Sequence, residues 1–287
     1  MTETVNPVIL NLRSIWGRAY VRIIGANREP SWIFFDGLLP LLGIAAYVFI
    51  YEGYFQGRTD PADLAALNSL VGFVVLGGLM TAFWMNVLWS MASQLYWEKE
   101  MGNLQLYMMA PMSRMALLAG MAIGGVFMTS VRALVTLIAG VYVFGVHFDL
   151  ASPLLILAIF FATLIALYGL GMMFASLYLL WGREAYNMSA LLEEPIYLVS
   201  GFYFPVKALG PVIGLAASVV PAALGLDALR QLMFPTFFGG QYWLLSVQNE
   251  FLILLALCVV FLILARLCLR YLETVAKREG RLTSRHQ

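Results

Sequence analysis

Apolar runs long enough to cross a lipid bilayer alternate along this chain with short polar and charged segments. A crossing helix needs about 20 mostly apolar residues. The pattern predicts six: Trp32 to Tyr51, Ser69 to Ser93, Met115 to Gly145, Leu154 to Trp181, Tyr186 to Pro205, and Glu250 to Tyr271. Asp36 lies near the start of the first. Glu52 to Asn68 reads as a polar loop in which Asp60-Pro61 signals a helix start. His147 to Pro153 reads as a tight turn, and Gly182-Arg183-Glu184 closes the fourth span.

Two segments follow other patterns. In Asn6 to Arg28, Leu12, Ile15, Trp16 and Tyr20 keep helical spacing against Arg13, Arg18, Arg22 and Arg28. Such a helix suits the headgroup layer, with Trp16 and Tyr20 as anchors; a cytosolic helix packed on a partner is the alternative. Lys207 to Gly240 is uncharged from Leu209 to Leu226, yet Gly210, Pro211, Gly214, Pro221 and Gly225 interrupt it. It predicts two short half-helices that dip into the membrane and return, a geometry tolerated only where protein shields the backbone or a cavity is lined. A seventh span would instead put the two termini on opposite sides.

Composition agrees with a membrane protein: 62% of the 287 residues are hydrophobic and 11% charged, against about 25% charged in a soluble domain. Arg13, Arg18, Arg22, Arg28, Lys99, Arg114, Arg183, Arg266, Arg270, Lys277, Arg278, Arg281 and Arg285 fall on one side of the predicted spans. Arg58, Lys207 and Arg230 fall on the other, with Arg132 inside. The bias places both termini in the cytoplasm. A net charge of +1 gives no sign of a nucleic-acid partner. Cys258 and Cys268 share the last apolar run, so no disulfide framework or zinc pattern arises, and His147 and His286 stand without metal-ligand company. The Arg-studded amino terminus does not read as a cleavable signal.

Tyr96-Trp97-Glu98-Lys99-Glu100-Met101-Gly102, with Pro111-Met112-Ser113-Arg114 downstream, is a charged island between Ser69–Ser93 and Met115–Val131, neither of which holds an ionised side chain. It is too polar for lipid and too short for a soluble domain, so it forms a compact loop at a membrane face where a partner can push. Trp97 to Leu104, followed by Pro111 and Ser113-Arg114, resembles the signature of ABC-2 type transporter permeases, the membrane subunits of ABC exporters for drugs, antibiotics, lipids or glycans. Ser200-Gly201-Phe202-Tyr203-Phe204-Pro205, then Pro211, Pro221, Asp227 and Arg230, resembles that family's turn after the fifth span and its re-entrant helix pair. The likeness covers essentially the whole chain in span number, order and loop length. Asn103 and Gln105 depart from the Thr and Glu common there, and the outer loops leave no room for the periplasmic domain of macrolide-type exporters.

The resemblance implies an all-α integral membrane fold with six transmembrane helices. It adds an interfacial helix in residues 1–31, a cytoplasmic coupling helix between spans 2 and 3, a re-entrant hairpin between spans 5 and 6, a transmembrane domain over 32–272 and a basic tail over 273–287. Trp97, Glu98, Lys99, Glu100, Gly102, Leu104 and Tyr107 would then transmit the closure of a separate ABC ATPase to the spans. In physical terms, Glu98 and Glu100 early in a short helix suit its amino-terminal dipole, and Leu104, Tyr107 and Met108 form an apolar stripe fit for a partner's groove. A solvated loop that only fixes topology is the alternative. No Gly-x4-Gly-Lys-Ser/Thr loop occurs, so ATP and Mg belong to the partner, and no cofactor, catalytic residue or metal site is expected in this chain. The implied assembly pairs two permeases, identical or not, with two ATPase subunits in a prokaryotic cytoplasmic membrane.

Ionisable groups at membrane depth cost about 2.5–3.5 kcal/mol each on insertion scales and mark function by default. Arg132 lies about 18 residues, some 27 Å, into the third span. Glu193 and Glu194 fall near mid-membrane in the fifth, where Pro195 loosens the helix. With Gly201, Phe202, Phe204 and Pro205 they are candidate pathway or interface residues; a pairing of Arg132 with Glu193 or Glu194 would need side-chain reach or helix tilt to close a vertical gap, and a purely structural ion pair is the alternative. Phe83, Trp84, Met85, Trp89, Met91, Met172, Met173, Phe174 and Tyr178 offer an adaptable substrate wall, or simply helix and lipid contacts. Gly120, Gly124, Gly169 and Gly171 suit close helix packing. The expected function is a permease exporting an amphiphilic drug, antibiotic or lipid, with a lipid-linked glycan as alternative cargo and a passive channel or scaffold as the reading from another class. An intramembrane enzyme would need His, Asp or Ser-His clusters at depth, which two histidines outside the spans do not supply.

Overall fold

The computed structural model describes residues 6–27, 30–181, 183–240 and 243–278. Arg28, Gly182, Arg281, Arg285 and His286 lie outside the described residues, as do the side chains of Asp36, Arg183, Glu184 and Lys277. Helices account for almost all of the described chain: α1 Pro7–Asn27, α2 Pro30–Phe55, α3 Pro61–Met85, α4 Gln94–Glu100, α5 Asn103–Met109, α6 Arg114–Tyr142, α7 Pro153–Trp181, α8 Arg183–Ser200, α9 Pro211–Ala217, α10 Pro221–Met233 and α11 Val247–Arg278. Proline opens α3, α9 and α10 at the first helical position, where its missing N–H costs nothing.

Among the described residues, four helical stretches are long and apolar enough to cross a membrane: Pro61–Glu100, Arg114–Tyr142, Pro153–Tyr178 and Val247–Val275. The first is a near-continuous rod in which a π-helical turn, Asn86–Met91, joins α3 to α4. Of the two other predicted spans, α2 has a shorter apolar stretch, Pro40–Phe55, and α8 has 18 residues that include Glu193 and Glu194.

Several expected boundaries shift. The polar loop foreseen over Glu52–Asn68 shrinks to residues 56–60, because α2 runs to Phe55 and α3 begins at the proline of the helix-start signal. The limits drawn at 31/32 and 272/273 both fall inside helices, α2 and α11. Arg230, counted among outer loop charges, is buried inside the protein.

α7 is the central helix and packs most extensively on α11, then on α10, the π-helical turn and α4. α3 packs on α6, α2 and α10, while α1 lies along α6. The core runs through Phe73, Phe83, Trp84, Leu88, Leu167 and Leu254. One flank of α11 stays outside it, with Leu252, Val259, Ile263 and Leu267 exposed. The two ends of the bundle are joined differently. At one, Arg18 pairs with Glu98, and Arg114 bridges to Glu273 at 2.9 Å. At the other, the Asn68 side chain bonds both the N–H and the C=O of His147 (2.8 and 3.1 Å), and the Asp149 N–H donates to the Met233 carbonyl at 3.1 Å.

Candidate functional site

The island is built from α4 and α5, which meet at Gly102. That residue has φ 79°, a left-handed conformation that favours glycine. The expectation of one helix starting within the island is therefore corrected. α4 continues the rod from α3, so Glu98 and Glu100 occupy its last turn, where no amino-terminal dipole is available to them. The Glu98 carboxylate, only 2% exposed, is instead the hub of the corner. It accepts from Arg18, from the Asn103 amide (3.1 Å) and from the Gln94 amide (3.4 Å). Lys99 is also buried. Leu104, Tyr107 and Met108 turn inward, against Leu95, Leu117 and Leu269, so the stripe foreseen for a partner is part of the core. Burial raises the Tyr107 hydroxyl above its ordinary pKa, with Arg18 opposing the rise. The island's outer surface carries a different set: Trp97, Met101, Leu106 and Met109 are exposed by 53%, 61%, 62% and 75%, and Gln105 and Glu100 lie among them.

α1 clasps this island from behind. Arg18 Nη1 donates to the Tyr107 hydroxyl at 3.1 Å, Arg22 Nη1 donates to Gln94 Oε1 at 2.8 Å, and Arg22 Nη2 donates to Ser90. Asn11 Oδ1 accepts from the Ser113 N–H at 2.8 Å, which ties down the far end of the island as well. Gly120 and Gly124 of α6 make room for α1. A Cβ on Gly120 would lie 2.7 Å from the Ile15 carbonyl oxygen, and one on Gly124 would lie 3.1 Å from Arg22 Cβ. With Arg18 and Arg22 turned inward, α1 exposes Val8, Leu12, Trp16 and Tyr20 on the opposite face. Burial lowers the Arg22 pKa, Tyr168 opposes the shift, and Arg18 and Arg132 add to it; an arginine remains a cation regardless.

At the other end α8 stops at Ser200 and the chain turns through Gly201, φ 60°. A helix end leaves carbonyls without partners, and here Arg230 of α10 fills the need. It donates to the carbonyls of Gly201 (2.8 Å), Phe202 (2.6 Å) and Phe73 (2.7 Å), with its guanidinium 3.3 Å from the Phe73 ring centroid. One turn away, Asp227 accepts from the Leu244 N–H (2.8 Å) and from Gln231 (3.2 Å). Gln231 also donates to the Leu245 carbonyl (2.9 Å) and to Glu250 (3.0 Å). Phe202 is buried, Phe204 and Pro205 are half-buried, and Tyr203 stacks on Tyr47 at 4.5 Å. Gly77 of α3 lies so close that a Cβ there would collide with the Phe202 carbonyl.

The membrane charges are not brought together in the fold. Glu193 accepts from the Trp89 indole N–H at 3.1 Å, Glu194 is exposed, and no ion pair joins Arg132 to either among the described residues. The reason is topological: α8 packs on α7, α9, α10 and the π-helical turn, whereas Arg132 on α6 neighbours Arg22 and Tyr168. Phe83, Trp84, Met91, Met172 and Tyr178 are buried in the core, so these cannot form a wall open to cargo within the chain itself. Gly169 and Gly171 do meet neighbouring helices closely, at Phe261 and at Val87.

Sequence reasoning missed Arg18 and Arg22 as clasp residues, Gln231 and Glu250 as the hydrogen-bond partners around Asp227, Glu273 as the partner of Arg114, and the buried Tyr168–Asn86 bond (2.9 Å). The four-residue spacing of Arg18 and Arg22 and the acid at the start of the sixth apolar run were the available signals.

Residues 22–234 match the family model described as ABC-2 type transporter. No curated protein matches the chain.

Proposed function

The chain belongs to the ABC-2 type transporter family, and we propose that it is the permease of an exporter moving an amphiphilic drug, antibiotic or lipid across a prokaryotic cytoplasmic membrane. Membership makes it a multi-pass membrane protein and the permease component of an ABC transporter, whose partner in general is an ABC ATPase. In the proposed arrangement α2 and α8 complete six spans, α1 lies at the cytoplasmic interface, and α9 and α10 form the re-entrant pair. The observation that carries the reading is the island's exposed apolar surface, Trp97, Met101, Leu106 and Met109, held in place by Glu98 and Arg18. An aromatic anchor amid apolar side chains is what a docking surface needs, and Trp97, Glu98, Lys99, Glu100, Gly102, Leu104 and Tyr107 act here as the coupling element. Leu104 and Tyr107 serve it from within.

The partner supplies ATP and Mg, and its closure moves the rod that carries α4. A second permease copy sits against the outward apolar residues of α2 and α8, such as Leu42, Phe49, Leu191 and Leu198, beside Glu193 and Glu194. Arg132, Gly201, Phe202, Phe204 and Pro205 shape the pathway indirectly, by fixing the helices that border it. The short connections at 56–60 and 143–152 favour small amphiphilic cargo over one handled by a large outer domain.

The test uses Gln105, which is exposed, rather than buried Lys99. In a chain with Cys258 and Cys268 replaced by Ala, Gln105→Cys should react with a membrane-impermeant maleimide only from the cytoplasmic side, and bound ATPase should protect it. The tagged chain should bring an ABC ATPase from its own membrane, with cargo efflux dependent on ATP. Labelling from outside alone, or ATP hydrolysis by the purified chain without a partner, would overturn the reading.

A further inference from the structure

A recess of about 170 Å3 opens where the start of α6 meets the end of α11, lined by Met112, Ser113, Arg114, Arg266, Arg270 and Glu273. Arg266, Arg270 and Glu273 recur at helical spacing, so one face of α11 carries all three. Arg114 is committed to its 2.9 Å bridge with Glu273, and its Nε faces Met108 Sδ at 3.1 Å. Arg266 and Arg270 are exposed and have no acidic partner among the described residues. Three arginines and one glutamate leave the recess with two positive charges in excess.

Both arginines nevertheless fall inside the apolar stretch Val247–Val275, and their neighbours Ile263, Leu267 and Tyr271 are exposed. A guanidinium at the edge of a bilayer needs an anion, and the fork of an arginine matches phosphate oxygens. Basic pockets between helices at a membrane face bind lipid headgroups in this way. The exposed tyrosine beside them sits as an interfacial anchor does.

We propose that this recess binds the phosphate headgroup of an anionic phospholipid in the leaflet at the island's end of the bundle, with Arg266 and Arg270 as its donors and the acyl chains along the exposed flank of α11. The occupant is a lipid rather than a free anion because the rim is apolar and continuous with that flank. Bound there, the lipid would brace the junction of α6 and α11 directly behind the island.

The full-length protein in phosphatidylcholine nanodiscs, titrated with phosphatidylglycerol and read by native mass spectrometry, tests this. The wild type should retain phosphatidylglycerol preferentially. Each arginine at an anionic surface contributes about fivefold, so Arg266→Gln with Arg270→Gln should cut retention by about twenty-five-fold. The double Lys variant should keep most of it, and Arg58→Gln at the opposite end should change nothing. Equal unfolding midpoints in phosphatidylcholine alone would show that both variants are folded. The proposal fails if the double Gln variant retains phosphatidylglycerol like the wild type. It fails also if free glycerol phosphate competes as well as the lipid, which would make this a soluble-anion site. Loss of ATPase co-purification with lipid retention unchanged would likewise overturn it, in favour of a protein-docking surface.

Discussion

The two ends of this bundle solve the same problem, a chain reversal between long helices, with opposite materials. At the end remote from the island most polar groups of the turn are taken up internally: Arg230 donates to three carbonyls, and Asp227, Gln231 and Glu250 tie α10 to the start of α11, although Ser200 Oγ and Arg230 Nε are buried without a hydrogen-bond partner among the described residues. At the island end the polar groups also pair, Glu98 with Arg18 and Arg22 with Gln94, but large apolar side chains face outward. The first arrangement resists change, since loss of any member strands a buried partner. The second keeps its own shape while leaving surface free for another molecule. The proposed function needs both: a fixed end to push against and an end that can be gripped.

The contrast can be broken most severely at Arg230. Arg230→Met removes three hydrogen bonds to buried carbonyls and should destabilise by about 3–5 kcal/mol, seen as a collapse of the thermal midpoint and of yield in detergent. A variant as stable as the parent would show that this end is not held by the residue. Gly77→Val, which forces a branched side chain against the Phe202 carbonyl, should cost about 1–3 kcal/mol in the same assay, with aliphatic repacking unable to rescue it. Glu98→Gln leaves Arg18 without its counter-charge. Because Arg18 is partly solvated, the loss should be about 1–2 kcal/mol, whereas ATP-driven efflux should fall further than that loss explains. Trp97→Ala sharpens the comparison from the other side. Its stability should stay within about 0.5 kcal/mol of the parent, yet ATPase affinity should drop by about tenfold or more. Equal losses of stability at Trp97 and Glu98 would erase the distinction between grip and frame.

What could be read from the sequence was set by run length and punctuation. α7 begins one residue before the predicted Leu154 and ends at the predicted Trp181, because an unbroken apolar run starts at a proline. The paired short helices α9 and α10 follow from the Gly and Pro residues that interrupt an uncharged stretch. Side-chain partnerships across the fold were not legible. Periodicity identified Leu104, Tyr107 and Met108 as one stripe but not which way it faced, since a stripe can serve a partner or the chain's own core. Arg18 and Glu98 stand 80 residues apart in sequence, and nothing local marks them as a pair. Arg132 and the two glutamates were matched by charge alone, and helix order then put other neighbours between them.

The rod from Pro61 to Glu100 makes the two ends mechanically one object. Gly77, pressed against the turn at Phe202, and Glu98, held by α1, lie 21 residues apart on it, or about 32 Å. A tilt of about 5° imposed at Glu98 would therefore sweep Gly77 through about 3 Å, more than its contact with the Phe202 carbonyl can absorb. The π-helical turn between them, Asn86–Met91, sits along the lever arm, where gaining or losing a residue's rise would set how much of that stroke arrives.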